Sequence, residues 1–140
     1  MQPKTFREKF LDSLEDERFA DFHFEEFEDE EAYIYSMMVE LETDDVPYLV
    51  QFFFFEEDEL ADLMISKPIK KWDSLTNLRK VNKFNSENRF ICMMTHEQML
   101  SVRGHVWKEE GVESLWEMFF YCMEVAENHY CEFESEKNPR

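Results

Sequence analysis

Glycine, proline and cysteine are scarce in this chain, at two, four and three of 140 residues, and each scarcity removes a class of structure. With only Gly104 and Gly111 available, there is no glycine-rich loop to cradle a phosphate with backbone N–H groups. The same shortage excludes a collagen-like or linker-rich chain. Cys92, Cys122 and Cys131 are an odd set without C-x-x-C spacing. That pattern suits reduced thiols better than a disulfide framework and points to the cytoplasm. Long apolar runs are missing too. No stretch approaches the roughly 20 residues of a membrane span, and residues 1–14 contain bases without the apolar core of a signal peptide.

Positive charge is the remaining shortage, with 15 basic against 33 acidic residues and a formal net charge of -18. Such a balance repels phosphate backbones and anionic lipid, so neither nucleic acid nor membrane is expected as a partner. It keeps an aromatic-rich protein in solution. It also steers basic or amphipathic protein segments toward the surface. What the chain has in quantity is apolar side chain, 44% of residues, including 16% aromatic, which is too much for disorder. A chain of this length fits one domain, residues 1–140, burying roughly 70% of the surface its unfolded form exposes.

Hydrophobic spacing divides the chain. In "TFREKFLDSLED", residues 5–16, Phe6, Phe10 and Leu14 recur four apart beside Leu11, an amphipathic helix. Between about Ala20 and Lys67 four β-rich runs follow: "DFHFEEF", "AYIYSMMVEL", "YLVQFFFF" and "LADLMIS". After Pro68, Asp73 or Ser74 can cap a helix carrying Leu75, Leu78, Val81 and Phe84. "RFICMMT" and "MLSVRGHVW" read as two more strands, with Gly104 marking a bulge or a close backbone approach. A long helix ends the chain, its stripe built on Leu115, Phe119, Met123 and Ala126 and widened by Trp116 and Phe120. The expected fold class is α+β: a twisted antiparallel sheet of five to six strands with three helices, in the order α-ββββ-α-ββ-α.

Four consecutive phenylalanines, Phe52 to Phe55, sit in the third of these strands. Successive strand side chains point to opposite faces, so two of them line each side of the sheet. Helices on one side cover one pair. Phe53 and Phe55, or else Phe52 and Phe54, then face away, and leaving them in water forgoes roughly 1.5 to 3 kcal/mol each. Either the first and last helices sandwich the sheet, or the sheet curls enough to bury both sides, or the second face is an interaction surface, most commonly a dimer interface. Phe53, Phe55, Trp107 and Trp116 are the candidate protein-binding residues.

Patterns for catalysis are not found. His23, His96, His105 and His129 never fall at metal-ligand spacing, so no metal is expected. Acidic runs such as "EEFEDEE" read as solvated strand ends and turns, and no EF-hand loop or nucleophile elbow is present. His96 and Glu97 fit a solvated pair in a turn. An enzyme is not expected, nor a cofactor.

Residues 82–90, "NKFNSENRF", follow a helix and precede a strand. Asn82, Asn85, Arg89 and Phe90 there resemble the asparagine-rich junction of the bacterial YbjN family, with Phe84 where that family tends to carry tryptophan. "EEGV", residues 109–112, resembles the Gly-Gly-hydrophobic start of the family's last helix, with Glu110 in place of one glycine. The resemblance covers residues 75–125 by motif and the whole chain by element order. It implies the fold of type III secretion chaperones, which are small, acidic and usually dimeric and bind an extended client segment without catalysis; YbjN-like proteins are themselves often labelled regulators. Read without the family, Asn82 and Asn85 satisfy backbone groups freed at a helix end, and Arg89 holds the same corner.

Together these readings favour a non-enzymatic, homodimeric protein-binding module, chaperone-like or regulatory, whose acidic rim receives a basic or amphipathic client. A structural or regulatory homodimer without a client is the second reading. A small enzyme or ligand-binding protein with an unrecognised pocket is the third.

Overall fold

A computed structural model of the protein describes residues 2–136. The elements are α1 (Phe6–Ser13), β1 (Glu25–Glu28), β2 (Ala32–Val39), β3 (Tyr48–Phe55), β4 (Leu60–Pro68), α2 (Leu75–Glu87), β5 (Cys92–His96), β6 (Met99–Trp107) and α3 (Val112–His129). All strands pair antiparallel in one six-stranded sheet of order β1-β2-β3-β4-β6-β5. The class is α+β and the order is that read from the sequence. No helix among the described residues is long and apolar enough to cross a membrane.

Local sequence explains where the helices begin. Thr5 caps α1 with its hydroxyl on the Glu8 N–H at 3.1 Å, and the Glu8 carboxylate accepts the Thr5 N–H at 3.0 Å, a reciprocal capping box. Ser74 caps α2 in one direction, its hydroxyl accepting the Asn77 N–H at 3.2 Å. The hairpin joining β5 and β6 is tighter than its sequence suggests. His96 pairs with Met99, leaving a two-residue loop of Glu97 and Gln98, both at positive φ (46° and 70°). Left-handed backbone matches the strand twist there, but Asn-Gly would adopt it more readily than Glu-Gln.

The core lies on one side of the sheet. Tyr48, Val50, Phe52 and Phe54 of β3 point into it, and Phe10 packs at 4.9 Å between ring centroids on both Phe52 and Phe54. Trp116 stacks on Phe10 and Phe19 at 5.4 and 4.0 Å. Gly104 is a close approach rather than a bulge: a Cβ there would lie 2.9 Å from the Met118 side chain, so the missing side chain lets α3 rest on β6. α2 presents a different face from the one its spacing suggests. Asn77, Val81 and Phe84 are buried, whereas Leu75 and Leu78 are exposed. Asn77 faces in because its amide donates to the Lys70 and Lys71 carbonyls at 3.2 and 2.9 Å, closing a loop in which Lys71 has φ of 52°. In α3 the buried stripe runs through Leu115, Trp116, Phe119, Cys122, Val125 and Ala126, and Phe120 is exposed instead.

Both the first and the last helix lie on the side of Phe52 and Phe54, and α2 joins them beside β5, where Phe84 meets His129 of α3. The sandwich in which helices cover both faces is therefore not formed by the described residues.

Candidate protein-binding face

The strand registers lay out the uncovered face as rows running across the sheet. At one end Ala32 pairs with Phe55, and Leu60 with Trp107. The next row reads Phe27, Ile34, Phe53, Asp62, His105. A middle row follows with Glu25, Ser36, Gln51, Met64, Arg103 and Cys92. Then come Met38, Leu49, Ser66, Ser101 and Met94, and finally Pro68, Met99 and His96. Phe27, Met38 and Trp107 are 53%, 58% and 47% exposed, and Ile34, Leu49, Phe53, Phe55, Leu60 and Met64 are half-buried by their neighbours alone.

The buried polar groups of this face are paired. Arg103 pairs with the buried Asp62 carboxylate at 3.3 Å, Ser66 and Ser101 share a 2.7 Å hydrogen bond, and Gln51 donates to Ser36 at 3.4 Å. The surface is thus largely a sheet of apolar side chains whose buried polar groups are paired, while Glu25 and His105 stay exposed on it.

The sheet edges, by contrast, are guarded. β1 is four residues long, reads "EEFE" and is exposed throughout, so its charges oppose pairing with another strand. On the opposite edge the Asn85 amide occupies the outward groups of β5: its Oδ1 accepts the Met93 N–H at 2.7 Å and its Nδ2 donates to the Met93 carbonyl at 2.8 Å. Asn85 stands in for the missing neighbouring strand, and Asn88 caps the helix end by donating to the Phe84 carbonyl at 2.8 Å. The asparagine-rich junction is built into the fold, but Asn85 bonds the strand backbone of β5 rather than the freed helix-end groups expected from the sequence, and Asn88 takes the helix end instead.

Of the four candidate binding residues, Phe53, Phe55 and Trp107 lie together toward one end of the open face. Trp116 does not. It is 1% exposed in the core, held there by ring stacking and by an indole N–H donated to Ser13 at 2.9 Å. Beside Phe55, the turns at 29–31 and 56–59 hold three and four acidic residues. Lys108 donates from this end to the Phe55 carbonyl at 2.6 Å, and burial lowers its pKa.

One polar cluster gives no sequence signal. Lys67 of β4 is fully buried, and its ammonium uses all three donors: Asp44 Oδ2 at 2.7 Å, Ser135 Oγ at 2.9 Å and the Phe133 carbonyl at 3.0 Å. Asp44 also accepts from Tyr48 at 2.7 Å and from Ser135 at 2.8 Å. Burial alone would raise the Asp44 carboxyl, but bonds from Lys67, Tyr48 and Ser135 outweigh it and hold the pKa below the ordinary value. Burial, then the neighbouring Asp44, drives the Tyr48 phenol strongly upward. Main-chain bonds from Lys70 to Glu134 and from Glu136 to Pro68 fasten the same C-terminal segment beside the end of β4. With no donor left over, Lys67 is a clamp on this segment rather than a reactive amine. His96 and Glu97 form the solvated turn pair, 3.7 Å apart and exposed.

No family model, no curated protein and no solved structure matches this chain.

Proposed function

We propose that the protein is a non-enzymatic protein-binding module that works through its open sheet face, and that a second copy of the chain occupies that face. The observation that carries this reading is the one-sided coverage of the sheet: three helices lie on the side of Phe52 and Phe54, while Phe27, Ile34, Met38, Phe53, Phe55 and Trp107 line the side without one.

Area supports a stable pairing. Six strands spaced about 4.8 Å apart, with central strands of eight residues rising about 3.4 Å each, give a face on the order of 700 Å². That approaches the ~800 Å² per partner of a standard interface. Charge supports the choice of partner. Within the registers this face carries only Glu25, Asp62 and Arg103, whereas the chain has a formal charge of -18. Two such molecules repel wherever they meet, and least across this surface. The guarded edges leave face-to-face packing as the favoured mode, with inner side chains interdigitating about 10 Å between sheets.

The resemblance to YbjN proteins, and through them to dimeric secretion chaperones, agrees with this reading in element order and in acidity. A basic or amphipathic segment of another protein is the alternative occupant, drawn by the acidic turns beside Phe55. An enzyme with an unrecognised pocket gains nothing from the buried Lys67 amine, since all its donors are engaged.

Replacing Phe53 and Phe55 together with serine tests the reading. The doubly substituted protein should keep the far-ultraviolet circular dichroism of the parent and lose self-association in light scattering. Unfolding, or an unchanged dimer, overturns the assignment of these rings to an interface. A monomeric parent that binds a basic amphipathic peptide through Phe53 replaces the second copy with a client.

A further inference from the structure

We infer that the two copies stack with their strands antiparallel, related by a two-fold axis that crosses the strands along the middle row of Gln51 and Met64, so that β5 of one copy lies over β5 of the other. The inference rests on the preceding reading that a second copy covers the face.

Two aligned sheets can be stacked face to face by a two-fold axis that runs along the strands or by one that runs across them. An axis along the strands keeps each end of the sheet over the same end of the partner. It sets the acidic turn 56–59 against its own copy and the turn 29–31 over the β6 side of the partner, where Lys108 is engaged on the Phe55 carbonyl. It also lays β2 over β6 and β3 over β4, so that Ile34 meets the level of His105 and Phe53 that of Asp62, and neither gains an apolar partner.

An axis across the strands reverses the ends. Each acidic turn then lies over the far end of the partner instead of over its own copy; that end holds Lys70 and Lys71 but also Glu40, Glu42, Asp45 and Glu97, so apolar matching rather than charge selects this axis. The row of Phe27, Ile34 and Phe53 falls over the row of Met38 and Leu49, setting rings and a branched side chain against flexible aliphatic ones. The middle row falls on itself. Its two charges tolerate this, because Glu25 lies on the edge strand and Arg103 is paired with Asp62.

The chain carries its own reporter of the axis. Cys92 opens β5, belongs to the middle row opposite Arg103 and is exposed. With the axis across the strands, the two Cys92 residues lie roughly 12 Å apart, from a ~10 Å sheet separation and a ~30° twist between sheets. With the axis along the strands, β5 lies over β1 and the separation grows to about 26 Å, from five strand spacings and the sheet separation. Cys122 does not interfere: it is buried, and burial pushes its thiol up to about 12. Cys131 is exposed on the helix side of the molecule and is removed for the test by Cys131→Ser.

The full-length Cys131→Ser protein is treated with a bis-maleimide spanning about 10 Å, while light scattering records its mass under the same conditions. In parallel, Glu57→Cys is made with Cys92 and Cys131 both changed to serine, placing the sole reactive thiol in the turn between the two central strands at the acidic end. A dimer that links efficiently through Cys92, and at least tenfold less through the Glu57→Cys position, supports the proposed axis. A dimer that fails to link through Cys92 overturns the axis while the dimer itself stands. A monomer that links through neither overturns the second-copy reading and the axis with it.

Discussion

Removing the Lys67 ammonium should be among the most damaging single changes on the surface-distant side of β4. Methionine keeps the length of the side chain but none of its donors, so Lys67→Met strands the Asp44 carboxylate, whose side chain is 7% exposed. Breaking a buried pair from one side typically costs 3–5 kcal/mol. Here Tyr48 and Ser135 still donate to Asp44, at 2.7 and 2.8 Å, which places the expected loss near the lower limit, about 3 kcal/mol. Asp44→Asn should cost somewhat more, about 4 kcal/mol, because the ammonium left behind is wholly buried with two neutral acceptors. Against a total stability of roughly 5–15 kcal/mol, either change is large and lowers the melting temperature by about 10 °C or more. The assay is urea denaturation of the two single variants and of Lys67→Met with Asp44→Leu. The paired apolar replacement should recover at least ~1.5 kcal/mol relative to the sum of the single losses. Amide exchange should show residues 133–136 released in the Lys67→Met protein, since the clamp on the Phe133 carbonyl is gone. A Lys67→Met loss below ~1 kcal/mol with that segment still protected would refute the clamp.

The same carboxylate sets a pH signature. Because the Asp44 pKa is depressed on folding, its contribution is present above the unfolded value near 3.9 and is lost as pH falls through the lower folded value. The stability gap between the parent and Asp44→Asn should therefore narrow below about pH 4 in acid titrations followed by circular dichroism. Adjacent phenylalanines should behave oppositely. Phe52→Ala removes a fully buried ring and should cost about 3–5 kcal/mol, whereas Phe53→Ala should cost less than about 1.5 kcal/mol in the isolated subunit and instead weaken self-association. Equal losses of stability would contradict the assignment of the two faces. Replacing Glu97-Gln98 by Asn-Gly should stabilise the protein by about 1 kcal/mol in denaturant titrations, since both positions have positive φ.

How far the sequence revealed the fold depends on which physical signal marks each element. The strands were legible because alternation is local: Tyr48, Val50, Phe52 and Phe54 point one way whatever the rest of the chain does. Which pair of phenylalanines faces the helices was not legible, because it depends on where α1 and α3 pack. α2 misleads for a related reason. Its leucines suggest a buried face, yet Asn77 is drawn inward by carbonyls in a loop whose conformation no local pattern announces. Trp116 belongs to an aromatic stripe wide enough to read as core or as surface, and only contact with Phe10 and Phe19 decides it. Lys67 lies in "LMISKP" like any lysine at a strand end; its acceptors come from residues 44, 133 and 135, and only tertiary structure joins them.

The open face as a self-association surface is tested most directly by the solution mass of the unmodified protein, measured by light scattering across protein and salt concentrations. A mass of twice 17.2 kDa is expected, and added salt should preserve or tighten the dimer, because screening relieves repulsion between two chains of net charge -18 while leaving apolar contacts intact. A mass that stays at 17.2 kDa up to about 100 μM, where even weak standard-size interfaces form, would contradict it, as would a dimer that salt dissolves.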